Sequence, residues 1–374
     1  MGRQDGGVLA ACASLRFARR LRYNSRTLRR GERMELNLCL MGFGRVGREL
    51  VKLIDRKAAE INAQYGLTFK VVGIATGAHG LLLDPKGIDS TFALSGQWGD
   101  RAWPGTDETR LQLIRGCAAL GNGALVELSP INRDTGRPAL DYLELALSLG
   151  LHAVTANKGP VVHGYRYLRD LAKKHNRAFL FEATVMDGFP LLNLYRECLP
   201  ATRVTSFRGV LNSTTNLVLS LMDEGRPFDE AVKYAQSIGI AETDPSNDID
   251  GWDSAVKVCV LANVMMGADL RPGQVDRTGI RDITPAMMKA AAQANRKWRL
   301  ICSADRTGDA ITARVAPEQV SPDDPAYRLP GTTSLIQLRT DTLNQLTLLE
   351  TAPTPAQTAF GVLADLISAA RGHF

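Results

Sequence analysis

An apolar run at residues 36–41 feeds without interruption into Gly42-Phe43-Gly44-Arg45-Val46-Gly47, and no other feature narrows the possible folds so far. Val46, Leu50, Leu53 and Ile54 then recur at helical spacing, and a second apolar run follows at residues 69–75. Strand, glycine turn, helix and strand in this order predict a βαβ unit. In that setting the first glycine permits the tight turn and the second admits a pyrophosphate close to the backbone. The third lets helix and strand pack, while the helix N-terminus offers unpaired N–H groups to phosphate charge. Gly42, Phe43, Gly44, Arg45, Val46 and Gly47 are therefore the expected dinucleotide-binding residues.

The second strand ends in Ala75-Thr76-Gly77, where an Asp or Glu gripping a ribose 2′-hydroxyl would mark NAD preference. Without that carboxylate, NADP is the favoured cofactor, with Arg45 placed to attract a 2′-phosphate and NAD as the other option. Further strands are expected at 123–126, 152–156 and 179–183, with helices at 139–149 and 168–174. This alternation predicts an α/β, Rossmann-type doubly wound parallel sheet, whose ligands sit outside the carboxyl ends of its strands. Ser129 and Lys158, each just beyond a strand, then face the cofactor crevice.

The formal charge of +6 suggests a polyanion partner until its source is located. Residues 1–33 hold nine arginines against Asp5 and Glu32, whereas the remainder carries 36 basic and 37 acidic side chains. The body is neutral, so no nucleic-acid partner is expected. The basic tail at 1–33 is expected to be disordered or dispensable; transit-peptide-like and nucleic-acid-arm readings also match its composition. No apolar run reaches the ~18 residues of a membrane span. The six cysteines and five histidines show no metal-ligand spacing, which fits a cytoplasmic protein without structural zinc.

Residues 239–266 carry denser chemistry. Glu242, Asp244, Asp248 and Asp250 crowd a loop, and an apolar helix is expected from Gly251 with Asp250 as its N-cap. Asp253 and Lys257 share a face of that helix, and Lys257 is otherwise surrounded by aliphatic neighbours in sequence. A lysine there requires a partner. The pair is either a structural ion pair or a perturbed lysine serving as general acid or base for a carbonyl–alcohol couple.

The glycine loop, Thr155-Ala156-Asn157-Lys158, Glu182-Ala183-Thr184-Val185, the 209–216 segment GVLNSTTN and the block from Glu242 to Lys257 together resemble the homoserine dehydrogenase family, over residues 36–370. The resemblance implies NAD(P)-dependent interconversion of L-homoserine and L-aspartate 4-semialdehyde by direct hydride transfer. It implies Lys257 as proton donor, Asp253 as its partner on the substrate, and Lys158 between nicotinamide and substrate. Glu242 would hold the substrate ammonium, with Thr214 and Asp248 as further contacts. Glu182, with the carbonyls of Val185, Asp187 and Phe189, would form a sodium or potassium site. A homodimer is implied, with the apolar strand at 204–211 serving a shared sheet, as is a short form without a C-terminal regulatory domain. The expected organisation is a tail (1–33), a dinucleotide-binding domain (34–160), an α+β catalytic and dimerisation domain (161–345) and a returning C-terminal helix (346–374).

Three features depart from the family pattern: small residues are usual at Met186 and Asp187, glycine at Ser213, and a glycine-rich run at 351–359. The alternatives are another nicotinamide-dependent amino-acid or semialdehyde dehydrogenase, or a cofactor-sensing or nucleic-acid-binding protein on the same fold. A phosphorylating semialdehyde dehydrogenase would need an activated cysteine, and no cysteine here lies in a suitable loop.

Overall fold

The computed structural model describes residues 34–374; the expectations for the 1–33 tail lie outside them. Six strands form the first sheet: β1 (Met34–Met41), β2 (Leu67–Ala75), β3 (Leu81–Leu83), β4 (Gly123–Glu127), β5 (His152–Thr155) and β6 (Phe179–Leu180). Their order is β3-β2-β1-β4-β5-β6, parallel throughout except for β3, which pairs antiparallel with β2. This is the expected doubly wound arrangement.

Both faces of β1 are buried, as a parallel sheet requires. Leu36, Leu38 and Leu40 turn towards α1 (Arg45–Tyr65), whereas Cys39 and Met41 turn towards α2 (Asp107–Ala119) and α3 (Ala139–Ser148). All three leucines are fully buried, which contributes about 2 kcal/mol each. Helix α1 ends at Gly66, whose φ of 62° is the left-handed cap conformation that glycine adopts without strain.

Helix α4 spans Lys158–His175, longer than the 168–174 stretch that periodicity marked, because Asn157 caps it by accepting from the Gly159 amide at 2.9 Å. The strand expected at 179–183 stops at Leu180, since Glu182–Thr184 coil into a 3₁₀ turn. The first sheet thus runs beyond the boundary expected at residue 160.

The second sheet has the order β12-β11-β7-β9-β10-β8. It comprises β7 (Val204–Val210), β8 (Asp276–Arg277), β9 (Lys297–Thr307), β10 (Ala310–Val320), β11 (Ser334–Thr340) and β12 (Leu346–Glu350). Pairing is antiparallel except between β8 and β10. Helices α5 (Ser213–Asp223) and α6 (Trp252–Met265) join the core under this sheet, with Val218, Leu219, Val256 and Val260 meeting Phe207, Cys302 and Ile336.

β7 is interior, paired with β9 and β11; the outer strands of this sheet are β12 and β8, so a sheet continued between subunits would run through those. Residues 346–350 also belong to this sheet, so the returning segment is α7 (Pro355–Arg371) alone. Val362, Leu366 and Ala370 of α7 share a core with Leu50 and Ile54 of α1. No helix among the described residues is long and apolar enough to cross a membrane.

Candidate active site

The glycine loop has the geometry of a phosphate cradle. Gly42 has φ of 106°, and a Cβ there would stand 2.5 Å from the Leu128 carbonyl oxygen. A Cβ on Gly47 would meet the Gly42 carbonyl at 2.9 Å, whereas one on Gly44 would meet nothing within 4 Å. Gly42 and Gly47 are therefore required by the fold, and Gly44 keeps a space open in front of α1. The first turn of α1 carries no acid and no side-chain cap, which leaves its N–H groups for an anion.

These positions separate by experiment. Gly44→Ala should unfold at the wild-type temperature or slightly above, because it restricts the unfolded chain, yet bind reduced dinucleotide roughly tenfold more weakly. Gly42→Ala should lose stability outright, since a left-handed alanine alone costs on the order of 1–3 kcal/mol. Unchanged dinucleotide affinity in Gly44→Ala would contradict the cradle assignment.

Beyond the loop lies a cavity of about 230 Å³, lined among others by Val46, Ser129, Lys158, Asp187, Lys257 and Thr358. It joins the glycine loop to Lys257 on α6. Ser129 lines it, and what fixes Ser129 is Glu127, a fully buried carboxylate that sequence reasoning missed. Glu127 accepts from the Ser129 amide at 2.8 Å and also from its hydroxyl, and from Thr155 Oγ1 at 2.9 Å. Burial pushes its carboxyl up to about 7, against the lowering pull of those hydrogen bonds. The ends of β4 and β5 are thereby tied together beside the cavity.

At the far end Asp253 is the junction of a charged cluster. Its carboxylate lies 2.9 Å from Lys257 Nζ and 3.4 Å from Lys158 Nζ, the latter from the first turn of α4. Asn212, the N-cap of α5, fixes its side chain by accepting from the Thr215 amide. Its Nδ2 then donates to Asp248 at 2.7 Å and to Asp253 at 3.0 Å. Lys257 also donates to the Leu211 carbonyl at 2.7 Å.

Burial alone would lower the Lys257 ammonium, but the charge and hydrogen bond of Asp253 outweigh it and hold the group well above its ordinary range. For Asp253 burial raises and the two lysines lower, and the lysines win. Burial, followed by the Asp253 charge, raises Asp248. The result is a carboxylate locked between two ammonium groups that both line the cavity, and Lys257, with Asp253 and the Leu211 carbonyl as acceptors, has a donor to spare.

The start of α6 is held independently. The expected Asp250 cap is not made: Gly251 occupies that position with φ of 79°, and the Asp250 carboxylate pairs instead with Arg281 at 2.9 Å. Trp252 is clamped between the guanidinium groups of Arg133 and Arg277, at 4.0 and 3.7 Å from its ring centre. Arg133 belongs to the loop after β4, so the clamp ties the cluster to the first sheet.

Of the expected substrate contacts, Asp248 is in the cluster. Thr214 is buried in the first turn of α5, its hydroxyl donating to the Ile240 carbonyl at 3.3 Å. Glu242 is exposed on the acidic loop, anchored through its carbonyl by Gln236, and among the described residues no hydrogen bond joins its side chain to Lys257 or Asp253.

Glu182 is buried, and its carboxylate accepts from the amides of Leu192 at 2.8 Å and Asn193. Its own amide donates to Asp365 Oδ2 at 2.8 Å, a second buried carboxylate, on α7, that the sequence did not reveal. Burial and then the Asp365 charge push Glu182 up to about 7, and burial pushes Asp365 up to about 6. The Arg196 charge acts to lower both acids, but burial outweighs it. Among the described residues no three His, Cys, Asp or Glu side chains gather into a metal site, so a cation here would rely on backbone carbonyls such as those of Val185, Asp187 and Phe189.

The loop carrying those carbonyls is strained: Met186 and Asp187 both lie in the left-handed region, at φ of 57° and 50°. It is held against α7, where Thr358 Oγ1 donates to Asp187 at 2.8 Å. Gly188 passes so close to the Gln357 carbonyl that a Cβ would lie 1.8 Å from it.

Comparison with known proteins covers this whole assembly. The family model for homoserine dehydrogenase matches residues 190–367. The chain is 35% identical over 340 residues to the NAD(+)-dependent homoserine dehydrogenase of Pseudomonas canavaninivorans, covering 89% of this chain and 96% of that one. It is 33% identical to the homoserine dehydrogenase of Methanocaldococcus jannaschii, covering 89% of this chain and 98% of that one. Its fold superposes with a TM-score of 0.74, at 29% identity, on a hyperthermophilic archaeal homoserine dehydrogenase solved in complex with NADPH, covering 90% of this chain and 98% of that one.

Proposed function

Since the chain belongs to the homoserine dehydrogenase family, we propose that the Lys158–Asp253–Lys257 cluster is where it performs the NAD(P)-dependent interconversion of L-homoserine and L-aspartate 4-semialdehyde. The observation that carries this reading is the junction at Asp253, 2.9 Å from Lys257 and 3.4 Å from Lys158, at the end of the cavity that opens on the glycine loop. The glycine loop fits a dinucleotide, because Gly44 leaves the space in front of α1 clear. When bound, the nicotinamide supplies the hydride that reduces the aldehyde.

In reduction Lys257 donates its proton to the aldehyde oxygen. Its ammonium, pinned by Asp253 and the Leu211 carbonyl, already stands where alkoxide charge grows, so little reorganisation is needed. Lys158 adds a second positive charge from the cofactor side. Asp248, Thr214 and Glu242 hold the amino-acid end, with Glu242 swinging from its exposed position onto the substrate ammonium. Glu182, with the carbonyls of Val185, Asp187 and Phe189, holds a sodium or potassium ion that neutralises the Glu182–Asp365 pair. The enzyme works as a cytoplasmic homodimer, supported by the family and by free thiols at Cys39, Cys117, Cys198, Cys259 and Cys302.

One titration tests these assignments together. With homoserine as substrate, absorbance of reduced nicotinamide should appear with a lower KM for NADP than for NAD, since β2 ends without a carboxylate and Arg45 is exposed at the start of α1. Omitting Na⁺ and K⁺ should lower turnover or the unfolding temperature. No reduction of either nucleotide would overturn the activity, and a clear preference for NAD would overturn the coenzyme choice. Indifference to both ions, with Glu182→Ala also silent, would remove the cation.

A further inference from the structure

Glu350 plays no part in the mechanism above, yet its surroundings are those of a binding group. Along β12, Leu346 and Leu348 turn inward to the core while Thr347 and Leu349 turn out, and Glu350 continues the inward face at 4% exposure. Its Oε2 has no hydrogen-bond partner. Buried polar atoms are almost always paired, and leaving one unpaired costs about 1–3 kcal/mol. The charged groups facing it are Asp187 and Lys257, both of which line the cavity between glycine loop and cluster.

A second orphan lies next to a cavity-lining residue. Seven residues further on, in the first turn of α7, Gln357 buries an Oε1 that also lacks a partner. Its neighbour Thr358 lines the cavity and donates to Asp187. Glu350 thus lies behind two cavity-lining groups, Asp187 and Lys257, and Gln357 adjoins a third, Thr358. A buried acceptor left without a donor there awaits one brought by a ligand.

We propose that Glu350 is a cofactor-positioning residue that recognises the primary carboxamide of the nicotinamide ring; this rests on the dehydrogenase reading above. Burial pushes its carboxyl up to about 8, with the Asp187 charge adding to it and Lys257 opposing, so near neutrality the group is mainly a neutral acid. A neutral carboxyl has one donor and an acceptor side by side, and a primary amide offers the complement, so the two match at two points. An ammonium would call for an ionised carboxylate instead, and the cluster already places Asp248 for that.

The test measures affinity rather than turnover, by quenching of protein fluorescence on the full chain. The probes are NAD(P) and its 3-acetylpyridine analogue, which has a methyl group in place of the amide nitrogen. Wild type should bind the natural cofactor about tenfold or more tightly than the analogue, as expected for one buried hydrogen bond lost with its partner stranded. Glu350→Leu should fold, because it replaces an unpaired carboxyl by an apolar group. It should weaken natural cofactor about tenfold and shrink the discrimination to within about twofold. Glu350→Gln, which retains a donor and an acceptor, should preserve most of both.

Undiminished discrimination in Glu350→Leu would overturn the assignment, as would a raised KM for homoserine with unchanged cofactor affinity, which would make Glu350 a substrate contact. A wild-type chain that binds no nicotinamide dinucleotide would sink the dehydrogenase reading and this proposal with it. Wild-type binding without discrimination against the analogue would sink the proposal alone.

Discussion

Asp253→Ala should destabilise the protein by about 3–5 kcal/mol near neutral pH and leave little activity. The side chains of Asp253, Lys257 and Lys158 are only 14%, 16% and 21% exposed, so removing the one carboxylate strands two ammonium groups away from bulk water. Asn212 loses one of its two acceptors at the same time. With its counter-charge gone, Lys257 retains burial, which acts to lower it, and the variant's residual activity should acquire a new limb at alkaline pH.

The pH dependence of the stability loss has a definite sign. Asp253 is depressed in the folded state, so its contribution is fully present above the unfolded carboxylate value, about pH 4. It is lost as pH falls through the lower folded value. Lys257 is raised, so its contribution persists to the unfolded lysine value near pH 10 and is lost above that. The difference between wild type and Asp253→Ala should therefore be level from about pH 5 to 9 and shrink on both sides. Urea unfolding across that range measures it. A difference below about 1 kcal/mol at pH 7 would mean that the cluster is held by its surroundings and not by Asp253.

What could be read from the sequence was local. The glycine loop announces itself because three glycines fall within six residues between an apolar run and a helical one: Gly42 turns the chain at φ of 106°, Gly44 precedes α1, and Gly47 packs against the Gly42 carbonyl. Asp253 and Lys257 stand four apart on one helix, and helical geometry alone brings them together. Lys158 joins them from 95 positions away, however, and nothing in either segment's periodicity encodes that meeting. Asn212 lay inside a recognised motif, but its bridging of two carboxylates depends on the turn at the start of α5 aiming its amide at α6. Glu127 and Asp365 looked like ordinary residues of a strand and a helix, and they matter because folding removes all water from them.

The misreadings have physical causes too. Asp250 has the chemistry of an N-cap, but Arg281, a tertiary neighbour, takes its carboxylate, and Gly251 turns the chain instead. The strand at 204–211 is legible from its apolar run, but its partners β9 and β11 lie far downstream and no local pattern names them. Met186 and Asp187 depart from the small residues that the family pattern favours, and the structure gives the consequence. Both sit at positive φ, where a side chain costs roughly 1 kcal/mol or more, and the contact of Asp187 with Thr358 helps to offset it. The replaced glycine run at 351–359 likewise leaves Ala352 at φ of 50°, just beyond Glu350.

The most direct test of the account is Lys257→Ala, followed by cofactor binding and by a single turnover of the bound ternary complex. Lys257 contributes the proton and the fixed positive charge, so the chemical step should slow by roughly 10²–10⁴. The glycine loop that holds the dinucleotide is untouched, so affinity for reduced cofactor should stay within about twofold. Folding must be verified in the same preparation, because Asp253 keeps Lys158 and Asn212 as partners but loses its nearest cation. The expected variant folds, binds cofactor normally and fails at the chemical step. A folded variant that turns over within about threefold of wild type would contradict that expectation, and Lys257 would then be no more than the structural partner of Asp253.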